Sequence, residues 1–116
     1  MLAADLEALS LRPSVRAALR AAREALERLY GDRLVKLILF GSQARGDAHE
    51  ESDVDVLLVL PDGFRHYDEI KRTGDIVLEA SLNHQVFLSI IPIEETRFND
   101  PAHPLMMNIK EEGIEL

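Results

Sequence analysis

Two carboxylates stand two residues apart, Asp53 and Asp55, at the head of the apolar run that continues through Val56 to Leu60. Strand side chains alternate between faces, so both carboxylates point the same way while Val54, Val56 and Leu58 point into a helix layer. Two such oxygens can share a divalent cation. Mg²⁺ takes one or two carboxylates and completes its octahedron with waters and phosphates. Upstream, Gly41-Ser42 directly follows the apolar run Leu34 to Phe40. Glycine there lets the backbone approach a ligand, the following amides can face an anion, and Ser42 supplies a hydroxyl donor. If the two runs pair, Gly41 and Ser42 lie beside Asp53 and Asp55, and a triphosphate fits between them and a carboxylate-bound Mg²⁺. Arg45 either adds charge to that pocket or braces its loop, and both readings stay open.

The elements that must position these residues follow from periodicity. Val15, Leu19, Ala22, Leu26 and Leu29 recur at helical steps, with Ser14 as a plausible N-cap and Gly31 as a stop, so a helix is predicted over 14–30. Strands are predicted over 33–40, 54–60 and 86–91, the second closed by Pro61-Asp62-Gly63 and the third by Pro92. Residues 42–52 read as a loop with room for one helical turn at 42–45. A helix over 64–83 puts Tyr67, Ile70, Val77, Leu78 and Leu82 on one apolar face, with Phe64 and Tyr67 as core or turn cover. Glu94 to Phe98 reads as a helical turn. Pro104 to Glu112 reads as a last helix, with Gly113 just past its end and Met106-Met107 packing it onto the sheet. Residues 1–13 read as an N-terminal arm to a single domain spanning 1–116. This order predicts an α/β (α+β) architecture, a small mixed sheet with helices packed on it. The first two strands are antiparallel and the 64–83 helix crosses over to the third.

Composition narrows the function. Thirteen Lys and Arg against 21 Asp and Glu give a net charge of −8, which argues against nucleic acid as partner. The absence of cysteine excludes disulfides, thiol catalysis and Cys-ligated zinc. No apolar run approaches the ~20 residues that span a bilayer, and MLAADLEALS lacks the basic start of a signal peptide, so a cytoplasmic protein is expected. Arg12, Arg16, Arg20 and Arg23 fall on one side of the first helix and read as a solvated face, with an acidic partner or RNA as the sharper alternative. Glu24 and Arg28 form a favourable i,i+4 pair. His49 sits in the motif loop and reads as a loop histidine without a specific role, with contact to substrate as the sharper alternative.

Gly41-Ser42, ten residues, then Asp53-x-Asp55 is a pattern whose four specified positions recur by chance about once in 10⁵ windows. It resembles the signature of the DNA polymerase β-like nucleotidyltransferase superfamily. The fuller string Gly-Ser-x-Ala-Arg-Gly, five residues, Ser-Asp-x-Asp is similar to that of the minimal nucleotidyltransferases, stand-alone domains of about this length. The resemblance implies a polymerase β palm-like fold that binds ATP with Mg²⁺, or with Mn²⁺ in its place. It also implies Gly41, Ser42 and Arg45 at the phosphates and Asp53 and Asp55 as catalytic metal ligands. It further implies a helical HEPN-type toxin as partner, onto which such antitoxins transfer AMP. Homo-oligomerisation stays open.

One departure matters. The superfamily has a third carboxylate on a later strand, and Val86 to Ile91 contains no acid. Glu79 and Glu94 flank it, and Gln85 or Ser89 is placed to occupy the position, although neither is a base. The leading expectation is a Mg²⁺-dependent transferase that moves AMP from ATP to a protein hydroxyl. The alternative is a nucleotide-binding or inactive antitoxin subunit that neutralises its partner by contact. An antibiotic nucleotidyltransferase is weaker, since 116 residues leave no room for an acceptor domain.

Overall fold

Helix α1 (Pro13–Tyr30) forms where apolar residues recur every three or four positions, and Val15, Ala18, Leu19, Ala22, Leu26 and Tyr30 are the ones it buries. Pro13 is its first residue, so Arg12 rather than Ser14 is the N-cap, and Gly31 closes it with an N–H donated to Glu27 O. Leu29 is partly exposed and Tyr30 takes its place inside. The computed structural model describes residues 2–3, 6–49 and 53–116. After α1 come β2 (Lys36–Phe40), α2 (Ser42–Arg45), β3 (Val54–Leu60), α3 (His66–His84), β4 (Leu88–Glu94), α4 (Glu95–Phe98), α5 (Pro104–Glu112) and β5 (Ile114–Glu115), with β1 (Leu2–Ala3) at the start. The predicted strand at 33–40 thus begins at Lys36, behind a 3-10 turn over Gly31–Arg33.

The sheet order is β1-β5-β2-β3-β4. β2 runs antiparallel to β3 and to β5, β4 runs parallel to β3, and β1 runs parallel to β5. The mixed α/β sheet is the expected one, with two short strands added that periodicity does not reveal. Residues 2–3 of the N-terminal arm pair with β5, and Leu6 and Leu11 are buried against the core. Residues 1, 4 and 5 of that arm, and Glu50, Glu51 and Ser52 of the motif loop, lie outside the described residues.

Each sheet face carries its own apolar cluster. Val54, Val56, Leu58 and Leu60 join Leu37, Leu39, Leu88 and Ile90 under α1 and α3. Leu57 and Val59 join Ile38, Ile93, Phe98, Met106 and Ile109 under α4 and α5. Of the two methionines expected to seat the last helix only Met106 is buried, and Met107 is exposed. Lys36 and Lys110 each place an ammonium over the Phe98 ring, at 5.7 and 4.9 Å.

Helix α3 is turned the opposite way from its apolar pattern. Its buried residues are Glu69, Thr73 and Ala80, with Ile76 and Val77 half-buried, while Tyr67, Ile70, Leu78 and Leu82 face outward. The reason is a polar contact with α1. Tyr30 donates its phenol hydrogen to Glu69 Oε1 at 2.9 Å, Arg72 donates to the same oxygen at 3.3 Å, and Thr73 donates to Glu69 O. Burial and that hydrogen bond push the Tyr30 phenol above its ordinary value. A buried carboxylate is retained only with such partners.

Strand β4 runs through Pro92 to Glu94 instead of stopping at Ile91. Val54 donates to Phe87 O, so by the parallel register odd-numbered β4 residues bond to β3 and even-numbered ones turn outward. β4 lies at the sheet edge, and the N–H that proline lacks would have pointed to the open side.

The arginine face of α1 holds the N-terminal segment. Arg16 donates to Leu9 O and Leu11 O, Arg20 pairs with Glu7, and Arg12 donates to His49 O in the motif loop. The i,i+4 pair on this helix is Arg23–Glu27, not Glu24–Arg28.

Gly113 lets α5 close onto the sheet. A Cβ there would meet Ile109 O at 2.4 Å and Ile38 Cγ2 at 2.7 Å. Gly113→Ala should therefore lower the unfolding free energy by about 1–3 kcal/mol through overpacking. Urea denaturation checks this, and an unchanged midpoint would mean that α5 does not sit so close to β2.

Candidate active site

The β2–β3 register fixes the site. Phe40 pairs with Asp55, which brings the turn after β2 against the start of β3. Gly41 has φ +76° and ψ −156°, a combination essentially restricted to glycine. A Cβ at Gly41 would lie 2.9 Å from Asp55 Oδ2. The glycine is thus required twice, by its backbone angle and by the carboxylate beside it.

Asp53 is exposed just ahead of β3, and Asp55 is half-buried inside it. Burial, then the charge of Asp53, raise the Asp55 pKa above its ordinary value. Asp55 is on the strand parity of Leu57 and Val59, so its side chain belongs to the α4/α5 face, while Val54, Val56 and Leu58 enter the other core as expected.

Ser42 opens the single-turn helix α2, which is the helical turn expected at 42–45. The first amides of a helix have no intrahelical partner, so those of Ser42 and Gln43 are available to an acceptor. Gln43 is buried, and its Nε2 has no hydrogen-bond partner among the described residues. Arg45 braces its loop: its Nε lies 3.2 Å from Asp47 Oδ2 and its Nη1 3.6 Å from Glu112 Oε2. These carboxylates hold its pKa up.

The register also places the residues considered for the missing acid. Ser89 of β4 pairs with Asp55. Gln85 lies outside the strand, in a left-handed turn at the end of α3. Glu94 pairs with Leu60, five positions along and on the order of 16 Å away, where His66 Nε2 stands 2.9 Å from it. Glu79 belongs to α3, on the opposite face of the sheet. Among the described residues no group of three or more His, Asp or Glu converges as a metal cage.

One feature of the site has no signal in the sequence. A cleft of about 210 Å³ opens beside Gly41, between α2 and α5, lined by Phe40, Arg45, Leu105, Asn108 and Glu112. It exists because β5 pairs with β2 and draws the end of α5 alongside the turn.

With this geometry in view, the likenesses to known proteins are informative. Residues 19–116 match the family model described as the nucleotidyltransferase domain. A candidate protein adenylyltransferase of Methanocaldococcus jannaschii is 38% identical over 90 residues, which are 77% of this chain and 84% of that protein. The solved structure of a candidate minimal nucleotidyltransferase is 30% identical with a TM-score of 0.54, covering 97% of each chain. A crystal structure of a toxin–antitoxin with AMP-PNP superposes with a TM-score of 0.56 over 81% of this chain and 68% of that one. At 16% identity it speaks to the fold alone.

The raised Asp55 pKa has a consequence for stability. Asp55 binds its proton more tightly folded than unfolded, so its ionised form at neutral pH opposes folding. Asp55→Asn should melt above the wild type at neutral pH. The gain should fade as pH falls through the folded-state pKa of Asp55 and vanish below its unfolded value. Melting curves across that range check it, and a variant less stable at neutral pH would contradict it.

Proposed function

We infer the function from one premise: the chain belongs to the nucleotidyltransferase domain family. We propose that it transfers AMP from ATP, with Mg²⁺, to a hydroxyl of a partner protein. The observation that carries this reading is Asp55 set against Gly41, its Oδ2 2.9 Å from where a Cβ on that glycine would lie, with Asp53 two residues before it on the same strand parity. Hard oxygen donors of this kind suit Mg²⁺ or Mn²⁺, and Asp55, crowded by a second carboxylate, gains from a cation. A bound Mg²⁺ would neutralise charge on the phosphates.

The chain's own residues would do the rest. Gly41 keeps the backbone low so that phosphate oxygens can reach the amides of Ser42 and Gln43, and Ser42 donates its hydroxyl. Arg45 orders the loop through Asp47 and Glu112 and lends charge at the cleft rim. The acceptor oxygen forms a bond to the α-phosphorus, the bond from that phosphorus to the α–β bridging oxygen breaks, and pyrophosphate leaves. The hydroxyl proton passes to water, since Ser89 opposite Asp55 is no base.

For the partner we propose a HEPN-type toxin, on the strength of the sequence resemblance and of the toxin–antitoxin neighbour in the same fold. No described helix is long and apolar enough to cross a membrane, and we place the reaction in the cytoplasm. The serine opposite Asp55 favours a second reading, an antitoxin that binds nucleotide and toxin without turnover and neutralises its partner by contact. Labelled ATP incubated with Mg²⁺ and the protein encoded beside this one separates the two, since only the first reading predicts label on the partner.

Two variant sets test the site. Asp53→Asn with Asp55→Asn should abolish Mg²⁺-dependent ATP binding in calorimetry while circular dichroism stays unchanged; unaltered affinity would refute the assignment. Ser42→Ala should weaken ATP binding by about 1.5–3 kcal/mol, the value of a hydrogen bond to a charged group.

The missing acid gives a third test. Ser89→Asp should raise AMP transfer, because general-base catalysis contributes about 10²–10⁴-fold and even a fraction is measurable. The gain should require divalent cation, since an unpaired buried carboxylate is costly. Strong transfer by the wild type alone, with no gain from Ser89→Asp, would show that the chemistry needs no third carboxylate.

A further inference from the structure

The outward face of α3 is apolar, and the chain itself does not cover it. Tyr67 is 73% exposed, Ile70 54%, Leu78 58% and Leu82 69%. Together these four side chains expose on the order of 500 Å², at the upper end of the largest patch on an ordinary monomer. The face continues into a groove between α3 and β4 lined by Gly74, Val77, Leu88 and Ile90.

At the centre of the stripe stands Gly74. A Cβ added there meets nothing within 4 Å, so the monomer does not require glycine, although glycine inside a helix is less favourable than alanine. A small residue at mid-helix allows another helix to approach closely at that point.

We propose that α3 packs antiparallel against α3 of a second copy, crossing at Gly74. Three observations favour a second copy over a foreign helix. The stripe is symmetric about Gly74, with Ile70 and Leu78 four residues to either side, then Tyr67 seven before and Leu82 eight after. A two-fold interface needs this self-complementarity, because it brings each position opposite its mirror.

The flanking charges, the exposed Asp68 excepted, are divided as the same two-fold requires. Lys71 lies before Gly74, and the exposed acids Asp75 and Glu79 lie after it. An antiparallel crossing sets Lys71 of one copy within reach of Asp75 and Glu79 of the other. The exposed stripe alone supplies on the order of 500 Å² of the ~800 Å² that each partner contributes to a standard interface.

Strand addition at this edge is a poor alternative, because Pro92 has no N–H to offer an incoming strand. The dimer leaves Asp53 and Asp55 free, since α3 and these carboxylates belong to opposite faces of the sheet, and it approaches the site only at Ser89, which lines the groove beside α3.

Sedimentation of the full chain at high-micromolar concentration should give a mass twice 13.0 kDa. Leu78→Asp, exposed in the monomer, should weaken the dimer at least about tenfold in Kd with its folded spectrum intact. Gly74→Leu should do the same. Lys71→Glu should weaken it, and adding Asp75→Lys and Glu79→Lys to that variant should restore it. A wild-type monomer, a dimer untouched by Leu78→Asp and Gly74→Leu, or no restoration by the charge exchange would each overturn the proposal, as would a monomer that dimerises only with another helical protein.

Discussion

The pairing of Phe40 with Asp55 is the constraint on which the rest of this structure depends. It is set by side-chain alternation: a slip of one residue would send Val54, Val56 and Leu58 to the α5 side and Asp55 into the core under α1 and α3. The cost of burying an ionised carboxylate there excludes the slip. The same register that satisfies the apolar residues therefore delivers the carboxylate to the turn after β2, where Gly41 alone leaves room for it. Packing and site geometry are one specification, written in the alternation of β3.

The second organising contact lies on the other face. Helix α3 could have buried its apolar stripe, and the hydrophobic term alone would favour that. It instead buries Glu69 and Thr73, because Tyr30 at the end of α1 offers a phenol donor and Arg72 a charge to the same carboxylate oxygen. A satisfied buried network of this kind sets the rotation of a helix, since turning Glu69 outward would strip the buried Tyr30 hydroxyl of its acceptor. The exposed stripe is the complement of that choice.

The motif from Gly41 to Asp55 was legible because its geometry is local, carried by a turn, an alternation and a pairing between neighbouring strands. Helices α1 and α5 and the two central strands were legible for similar reasons. What escaped was decided by partners far along the chain. The rotation of α3 depends on Tyr30, thirty-nine residues before Glu69. β1 and β5 are two residues each, too short for periodicity, yet they close the sheet and bring α5 to the cleft beside Gly41. Pro92 reads as a stop unless the strand is known to be an edge. Ser89 could be named as one candidate for the vacant position, but only the parallel register singles it out over Gln85.

The edge strand has a consequence for how the protein behaves when crowded. Leu88 N–H is taken by Ser81 Oγ and Pro92 has none, so between them Ile90 is left as the outward donor. A second chain arriving along β4 finds two of the four outward positions, 88 and 92, without a donor to offer, where a continuous ladder offers one every two residues. Such an edge is a poor template for a cross-β nucleus. Edge β4 is thereby blunted against the strand-to-strand association that its aliphatic residues would otherwise promote.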